Sequence, residues 1–365
     1  MQISSFSAIF PPEQFGSEID SFCDAARNHL SKAFLPFKKP YPQKNGLLIL
    51  EIISENLKSS GIVCLTNIMD YQDNKLQVHE DTIPSKLKKQ QEYLAKQGTF
   101  IKPILAAFED HPTFSSWMTK EMQKPVFKSY SSLKKNQLFN FWLIDDIYSI
   151  EEMKYFFSSE MKYALIADGH HRSAACLSLF EEGNPDFEYL LTAYFPVSQL
   201  IIHSFHRIYT FHKNTDADLI LTRLSAHFEL VMLPAPILPE YKNKVLIGLK
   251  DQWYMGTFKN VDPEKPDVVY FEELLPAMID FKNITHIQYP EDNISIQQFV
   301  DERKGIQPVL ALSFFPVPKN DWVAAVKKKL FFPPKSTRFI PTLRSGLTMY
   351  DFKKGSPIKK DFPLT

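Results

Sequence analysis

The residues of this chain that are best suited to chemistry lie in one short run, Asp168-Gly169-His170-His171-Arg172. An apolar run precedes it and a helix-forming run follows it, so the pattern predicts a strand, a tight turn and a helix. The first turn of such a helix carries unpaired amides and partial positive charge, which attract phosphate. Arg172 adds a planar fork of donors, and the histidines titrate near neutral pH. The run therefore predicts an anion-binding turn with titratable groups.

The same run also has a structural interpretation. Asp168 has the side chain to bind a metal ion, to orient a histidine or to act as a base. The same side chain also commonly caps a helix. In the structural interpretation, one histidine belongs to the core and the other to the surface. Gly169 permits a sharp turn or the close approach of a ligand. We favour the functional interpretation, because packing alone does not explain two adjacent histidines between Asp and Arg.

A second polar stretch, Lys335-Ser336-Thr337-Arg338, lies between aromatic residues and prolines near the C-terminal end. The prolines favour an extended backbone there. Its two basic residues bring positive charge, and its two hydroxyl residues bring donors. This composition suits an oxyanion or a phosphate, although an ordinary solvated turn has the same composition.

Composition narrows the class of protein. The 365 residues are 44% hydrophobic and 23% charged, as in a globular chain of one large or two ordinary domains. Lys+Arg and Asp+Glu both number 42, and this zero net charge disfavours a DNA-coating protein. We identify no signal peptide, no apolar run of membrane-spanning length and no zinc or disulfide spacing among three cysteines. The expectation is a cytoplasmic protein without a membrane partner, whose oligomeric state the sequence does not determine.

The elements that position these motifs follow from apolar periodicity, which predicts a mixed α/β (α+β) fold. A helix is predicted at 149–158, with Ser149 as its cap and Glu152 three residues later. A short extended segment is predicted at 267–271. The chain is expected to comprise three segments, 1–69, 70–210 and 211–365. Further strands are predicted at 47–53, 61–69, 101–108, 139–144, 164–167 and 189–195, a hairpin at 244–258, and further helices at 84–97, 215–227 and 321–330.

These motifs resemble those of known proteins. Residues 167–172 resemble the Asp-Gly-His-His-Arg signature of the ParB/sulfiredoxin superfamily. In order, the stretches 79–82, 168–172 and 334–338 resemble an uncharacterised bacterial family of that superfamily, of SpoOJ/ParB-like type and related to free serine kinases. The segment 200–208, which ends in His206-Arg207 and Ile208, also resembles that family. There are departures: Phe10 stands where that family tends to carry Arg, and sulfiredoxin has a reactive Cys where this chain has His170.

The resemblance implies a ParB/sulfiredoxin-like core unit at 70–210 with additional N- and C-terminal α/β segments. It also implies a nucleotide-dependent phosphotransferase that acts on a small hydroxyl compound, with free L-serine as the named candidate. ADP or ATP, or another nucleotide, is the implied cofactor, together with Mg²⁺. All the motif residues are then expected to line one cleft.

The resemblance also implies roles for individual residues. Glu80 is the implied general base or the group that orients the hydroxyl, with His170 and Asp168 as further catalytic candidates and Asp168 as the Mg²⁺ ligand. Three residues are implied to contact the substrate, namely His79, His206 and Arg207, and a structural or orienting role is the alternative for His79. Two groups are implied to bind the nucleotide phosphates: Gly169, His170, His171 and Arg172 in the turn, and Lys335, Ser336, Thr337 and Arg338 in the tail. The substrate carboxylate is the alternative ligand of the tail group.

Two other classes of function remain open. A ParB-like nucleotide switch or DNA-partitioning protein is one alternative, but no helix-turn-helix pattern or basic domain is evident. A non-catalytic binding protein on the same fold is the other. The presence of the acid, the turn and the tail motif together argues against it.

Overall fold

The computed structural model describes residues 1–27, 45–55, 57–80, 82, 84–291, 296–302 and 306–352, and these residues form two units. The first unit draws on Met1–Val78, Thr82–Leu200 and 341–352. The second draws on 79–80 and Ile201–Ile340. Asp81, the third residue of the His79–Thr82 motif, lies outside the described residues. The predicted division at 69/70 and 210/211 stays a prediction.

The strands alternate with helices along most of the chain. The strands are β1 Ile3–Ser4, β2 Phe6–Ser7, β3 Asn45–Ser54, β4 Leu57–Asn67, β5 Leu76–Gln77, β6 Thr99–Phe100, β7 Ile104–Phe108, β8 Lys128–Ser132, β9 Gln137–Ile144, β10 Ala164–Asp168, β11 Tyr189–Pro196, β12 Ile201–His203, β13 Arg207–Phe211, β14 Phe228–Leu233, β15 Lys244–Leu249, β16 Gln252–Phe258, β17 Ile284–Gln288, β18 Val309–Phe314, β19 Arg338–Ile340 and β20 Tyr350–Asp351. The helices are α1 Asp20–Arg27, α2 Ile68–Gln72, α3 Pro84–Gln97, α4 Pro112–Glu121, α5 Ile147–Tyr155, α6 His170–Glu181, α7 Ala217–His227, α8 Asp267–Met278, α9 Ile296–Asp301 and α10 Lys319–Lys327.

A mixed sheet forms the core of the first unit. Within the described residues its order is β5-β10-β7-β11-β4-β3-β9-β8, with β1 beside β4 and β2 beside β3. Strands β5 and β10 run parallel, as do β7 and β11, whereas the other neighbours in this order are antiparallel. The central strands are nearly continuous apolar runs because both of their faces are buried. This sheet and its helices confirm the mixed α/β class.

The second unit contains a sheet that is antiparallel throughout its described strands, in the order β14-β16-β15-β18-β13-β17. Strands β12 and β19 form a separate antiparallel pair in this unit. The predicted hairpin at 244–258 is confirmed as β15 and β16. Its two turn residues, Lys250 and Asp251, have φ of 54° and 59°, as a tight two-residue hairpin turn requires.

Two sequence predictions about local structure are wrong. The segment 267–271 is the start of helix α8 and is not extended. Its β-branched and aromatic residues suggest a strand, but Phe271, Leu275 and Met278 are buried at helical spacing. The cap of α5 is Asp146, whose carboxylate accepts the backbone N–H of Ser149 at 2.9 Å, so Ser149 lies inside the helix.

Two further observations concern the described part of the chain. None of its helices combines the length and the apolar character that are needed to cross a membrane. Its three cysteines, Cys23, Cys64 and Cys176, are buried free thiols. The ParB/sulfiredoxin-like nature of the core stays a prediction.

Candidate functional site

The Asp168–Arg172 turn joins strand β10 to helix α6 in the first unit, which confirms the predicted strand, turn and helix. Gly169 has φ of 117°, in the left-handed region that favours glycine. A Cβ atom at this position would lie 3.1 Å from the Arg172 Nη2 atom and 3.1 Å from a side-chain carbon of Ile104. Glycine is therefore required here both by backbone conformation and by crowding.

Asp168 is the charged centre of this turn. Its Oδ2 atom lies 2.6 Å from the Nζ of Lys102 and 3.1 Å from the Nη2 of Arg172. Partial desolvation acts to raise the pKa of Asp168, but the charges of Lys102 and Arg172 and the lysine hydrogen bond hold that pKa well below its usual range. Asp168 is consequently a carboxylate at all ordinary pH values, and it accepts hydrogen bonds rather than protons.

Arg172 ties the turn to the segment before strand β7. Its Nη1 atom donates to the carbonyl of Lys102 at 2.6 Å and to that of Pro103 at 2.8 Å, while Nη2 donates to Asp168. These contacts hold three of the planar donors of the guanidinium within the protein. The position of Arg172 is therefore fixed, and its role in phosphate binding stays a prediction.

The two histidines occupy the first helical positions of α6. His170 is buried, whereas His171 is half-buried. The electrostatic interaction of His170 with Asp168 is the smallest of the effects that lower the pKa of that carboxyl. The helix has no side-chain cap at Gly169. Their predicted contacts with phosphate are not tested by this geometry.

The second unit brings the His79-Glu80 motif and the 335–338 stretch together. The backbone N–H of Phe332 donates to the carbonyl of His79 at 2.7 Å, and Glu80 pairs with Phe332 in an isolated parallel bridge. The chain then turns at Lys335, which has a positive φ of 62°. The carboxylate of Glu80 accepts the backbone N–H groups of Lys335 and Ser336. Successive amides in such a turn form an anion-binding concavity, and here the anion is Glu80.

Burial decides the protonation of Glu80. The side chain is only 17% exposed, and this desolvation raises its pKa to about 7. The charge of Lys335, the two backbone hydrogen bonds and the charge of Arg207 act in the opposite direction and limit the rise. Glu80 therefore exchanges its proton close to neutral pH, which is the property that a general base requires.

His79 is part of the packing that holds Glu80. It is fully buried, and its Nε2 atom lies 2.9 Å from the hydroxyl of Thr337. The rings of Trp322, Phe332 and Phe339 meet its ring at their edges. These contacts give His79 an orienting position, and its predicted contact with substrate stays untested.

Arg207 lies beside the same turn. The side chain is completely buried, and its Nη2 atom donates to the hydroxyl of Ser336 at 3.2 Å and to the carbonyl of Pro334 at 3.5 Å. Its Nη1 atom is 3.7 Å from the Oε2 of Glu272. The guanidinium carbon lies 5.3 Å from the centre of the Tyr289 ring.

The remaining predicted residues have different surroundings within the second unit. The Nζ of Lys335 lies 5.0 Å from the centre of the Phe205 ring. Arg338 forms an ion pair with Glu291 at 3.2 Å. His206 is buried, and its Nδ1 atom is 3.0 Å from the hydroxyl of Ser313. In this turn the backbone of Lys335 and Ser336 contacts Glu80, and the hydroxyl of Ser336 contacts Arg207.

Two charged residues of these clusters were missed from the sequence. Lys102 precedes a strand and has no motif around it, so only its ion pair with Asp168 identifies it. Glu272 lies on helix α8, directly after the segment wrongly predicted to be extended. A helical interpretation of this segment would have placed Glu272 on an amphipathic helix. Across the described ranges, no group of three or more His, Cys, Asp or Glu is arranged to hold a metal ion.

The fold is similar to several solved structures at low sequence identity. A mutant free serine kinase in complex with ADP is 16% identical, covers 79% of this chain and 90% of its own, and has a TM-score of 0.43. A conserved hypothetical protein from Pyrococcus furiosus is 16% identical, with a TM-score of 0.41. The match covers 76% of this chain and 90% of that protein. SbnI with C-terminal truncation from Staphylococcus aureus is 13% identical, with a TM-score of 0.41. The match covers 76% of this chain and 82% of that protein. At these scores the likenesses assign no activity to this chain.

Sequence comparison gives a family. No curated protein matches the chain. The family model described as "Protein of unknown function (DUF1015)" matches residues 41–288, which is more than half of the sequence. The matched span contains Glu80, the 168–172 turn, Arg207 and Glu272, whereas the 335–338 stretch lies beyond it. The chain belongs to the DUF1015 family.

Proposed function

We propose that this protein is a nucleotide-dependent phosphotransferase that acts on a small hydroxyl compound, with free L-serine as the first candidate acceptor and ADP or ATP as the donor. The environment of Glu80 is the observation that carries this proposal. A buried carboxyl with a pKa of about 7 lies against two backbone amides and near the cationic side chains of Lys335 and Arg207. Such a group takes a proton from a hydroxyl and returns it at neutral pH.

In the proposed step, the acceptor hydroxyl gives its proton to Glu80 while its oxygen attacks the terminal phosphorus of the nucleotide. The bond between that phosphorus and the bridging oxygen breaks. The leaving group is AMP when ADP is the donor and ADP when ATP is the donor. The protonated Glu80 then returns its proton to solvent. Phosphoryl transfer depends mostly on positioning and on charge stabilisation. Glu80 positions the hydroxyl, and the cations Lys335 and Arg207 stabilise negative charge.

A phosphate-binding role of its own is proposed for the turn in the first unit, through Gly169, His170 and His171. The local charge supports this assignment. Lys102 and Arg172 carry two positive charges and Asp168 carries one negative charge, which leaves one positive charge in excess at the start of helix α6. Because Arg172 donates to protein carbonyls, we assign it to the support of the turn and to its charge.

Mg²⁺ is the metal that the resemblance implies, with Asp168 as its ligand. Two cations already neutralise the Oδ2 atom of this carboxylate, at 2.6 Å and 3.1 Å, and they would repel a divalent cation. Asp168 is therefore a poor Mg²⁺ ligand as it stands here. We derive no part of the proposed step through a metal.

The test is to measure phosphate-ester formation by the purified protein with ADP, ATP and CTP, with and without Mg²⁺, over a panel of hydroxyl compounds that includes L-serine. Glu80→Gln keeps the shape of the side chain but cannot take the proton. Glu264→Gln is the matched control, since Glu264 forms an exposed ion pair with Lys328. We expect turnover by the wild type and the control, and its loss in Glu80→Gln.

Three results would contradict parts or all of this proposal. Turnover that persists in Glu80→Gln would dismiss Glu80 as the base. Absence of turnover with every donor and acceptor, together with tight binding of short DNA, would instead favour the nucleotide-switch or partitioning alternative. Absence of turnover with nucleotide binding alone would favour a non-catalytic binding protein.

A further inference from the structure

Arg207 is a fully buried cation with incomplete pairing. Its Nε and Nη1 atoms are buried and make no hydrogen bond of good geometry to a described residue, although the guanidinium interacts with the hydroxyls of Tyr209 and Tyr289. Its Nη2 atom is held by Ser336 and Pro334. Buried donors without acceptors cost free energy, and native proteins rarely leave them unmatched. The side chain is nonetheless firmly placed, because Ser336 and the Tyr289 ring fix the guanidinium. Unmatched donors on a fixed guanidinium suit an anionic group of a ligand.

Glu272 supplies the opposite charge in the same cluster. Its Oε2 atom lies 3.7 Å from the Nη1 of Arg207, which is beyond hydrogen-bond distance, and among the described residues this buried oxygen has no hydrogen-bond donor. The Glu272 side chain as a whole is 34% exposed, so the cluster reaches solvent on the Glu272 side. An acceptor left in this state suits a cationic donor such as an ammonium group.

Strand β13 and helix α8 bring these charges together. Arg207 and Tyr209 are two residues apart on β13 and therefore lie on one face of the sheet. Burial and the charge of Glu272 raise the pKa of Tyr209, whereas the charge of Arg207 and its hydrogen bond to the tyrosine hydroxyl act in the opposite direction. Arg207, Glu272 and Tyr209 thus lie in one buried polar cluster.

On the basis of the phosphotransferase function proposed above, we propose that Arg207 and Glu272 form a subsite for the zwitterionic end of a hydroxy-amino acid. Arg207 binds the α-carboxylate through its unmatched N–H groups. Glu272 binds the α-ammonium group. The ligand then satisfies the buried donors and the buried acceptor together.

The position of the subsite relative to Glu80 supports a hydroxy-amino acid over other zwitterions. Ser336 connects the two places, since its backbone N–H donates to Glu80 and its hydroxyl accepts from Arg207. The charge of Arg207 is also close enough to lower the pKa of Glu80. An amino acid held at Arg207 and Glu272 therefore extends its side chain near the proposed base.

The test is calorimetric titration of the full chain, with and without ADP, using three probes. L-Serine carries both charged groups, 3-hydroxypropanoate lacks the ammonium group, and ethanolamine lacks the carboxylate. Glu272→Gln is the informative variant. Glu273→Gln is its matched control, because the neighbouring Glu273 pairs with Lys265 at the surface. Melting curves establish that each variant is folded.

We expect the wild type to bind L-serine more tightly than either of the other probes. Glu272→Gln should weaken L-serine binding by about tenfold or more, equivalent to about 1.4 kcal/mol, without weakening 3-hydroxypropanoate binding. Arg207→Lys should weaken the binding of both carboxylates. Equal L-serine affinities for Glu272→Gln and Glu273→Gln, or a wild type that binds 3-hydroxypropanoate as tightly as L-serine, would overturn the subsite.

These results are separable from the phosphotransferase function. A protein that binds L-serine as described but transfers no phosphate retains the subsite and loses the proposed activity. A protein that phosphorylates a hydroxyl compound without binding L-serine retains the activity and loses the subsite.

Discussion

The imidazole Nε2 of His79 lies 2.9 Å from the hydroxyl of Thr337, although 258 residues separate them in the sequence. The same two segments are joined by the backbone bond from Phe332 to His79 and by the amides that hold Glu80. A motif near residue 80 and a motif near residue 336 thus form one cluster in the second unit. Its central carboxyl has the protonation behaviour of a base.

The His79–Thr337 contact should matter for both stability and turnover. Thr337→Val keeps the shape of the side chain and removes the hydroxyl, so we expect a loss of about 1 kcal/mol in the free energy of unfolding. Turnover should fall as well, because His79 and the neighbouring Glu80 lose their fixed position. The matched control is Thr222→Val on helix α7, where the exposed hydroxyl bonds only to its own helix. Denaturation and turnover rates provide the measurements, and equal behaviour of the two variants would contradict this role.

The pKa of Glu80 predicts the pH dependence of activity. Because the base acts in its ionised form, kcat/KM should rise with pH and level off above about pH 7. Glu80→Gln should lower the rate by about 10²–10⁴-fold and remove this rise. The measurement is the pH profile of both proteins with one donor and one acceptor. A wild-type profile that stays flat from pH 5 to pH 8 would contradict the prediction.

The same pKa predicts the pH dependence of stability. Between about pH 4.5 and about pH 7, folded Glu80 keeps its proton while the unfolded chain has lost it, so the free energy of unfolding falls as pH rises and then becomes constant. This difference in pKa corresponds to about 3 kcal/mol. Glu80→Gln does not titrate, so its stability relative to the wild type should increase across this range. Urea denaturation at several pH values measures the difference in free energy of unfolding between the variant and the wild type. A difference that stays constant from about pH 4.5 to about pH 7 would contradict the prediction.

Arg172 should contribute mainly to the stability of the first unit. Arg172→Ala removes the donors to the carbonyls of Lys102 and Pro103 and one partner of Asp168. We expect a loss of about 1.5–3 kcal/mol or more in the free energy of unfolding, because these are charge-assisted hydrogen bonds. Arg223→Ala, at an exposed position of helix α7, is the control. An unchanged melting temperature with weaker nucleotide binding would instead assign Arg172 to direct phosphate contact.

Gly169→Ala should separate backbone strain from crowding at the turn. Both Gly169 and Gly183 have positive φ, of 117° and 90°, but a Cβ at Gly183 meets no described atom within 4 Å. Alanine at Gly183 should therefore cost only the backbone strain, about 1–2 kcal/mol. Alanine at Gly169 should cost more, because its Cβ also crowds Arg172 and Ile104. Equal losses for the two variants, measured by chemical denaturation, would show that the turn relaxes freely.

Local chemistry determined the parts of this protein that the sequence predicts well. Apolar runs and helical spacing predicted strands such as β9 and β11 and the exact bounds of helix α3, because these patterns reflect burial along a single element. The Asp168–Arg172 turn followed from the same reasoning, since one glycine between an apolar strand and a helix-forming run permits little else.

Tertiary structure decided the partners of the charged groups. Asp168 was open to use as a cap, a ligand or a base until Lys102 and Arg172 were found on its carboxylate. The pKa of Glu80 depends on burial and on amides from residues 335 and 336, which sequence spacing does not reveal. Glu272 was missed because β-branched residues before it suggested a strand, whereas packing against the sheet made a helix. Sequence thus supplies the charged and apolar groups, but burial and long-range contacts set their protonation and pairing.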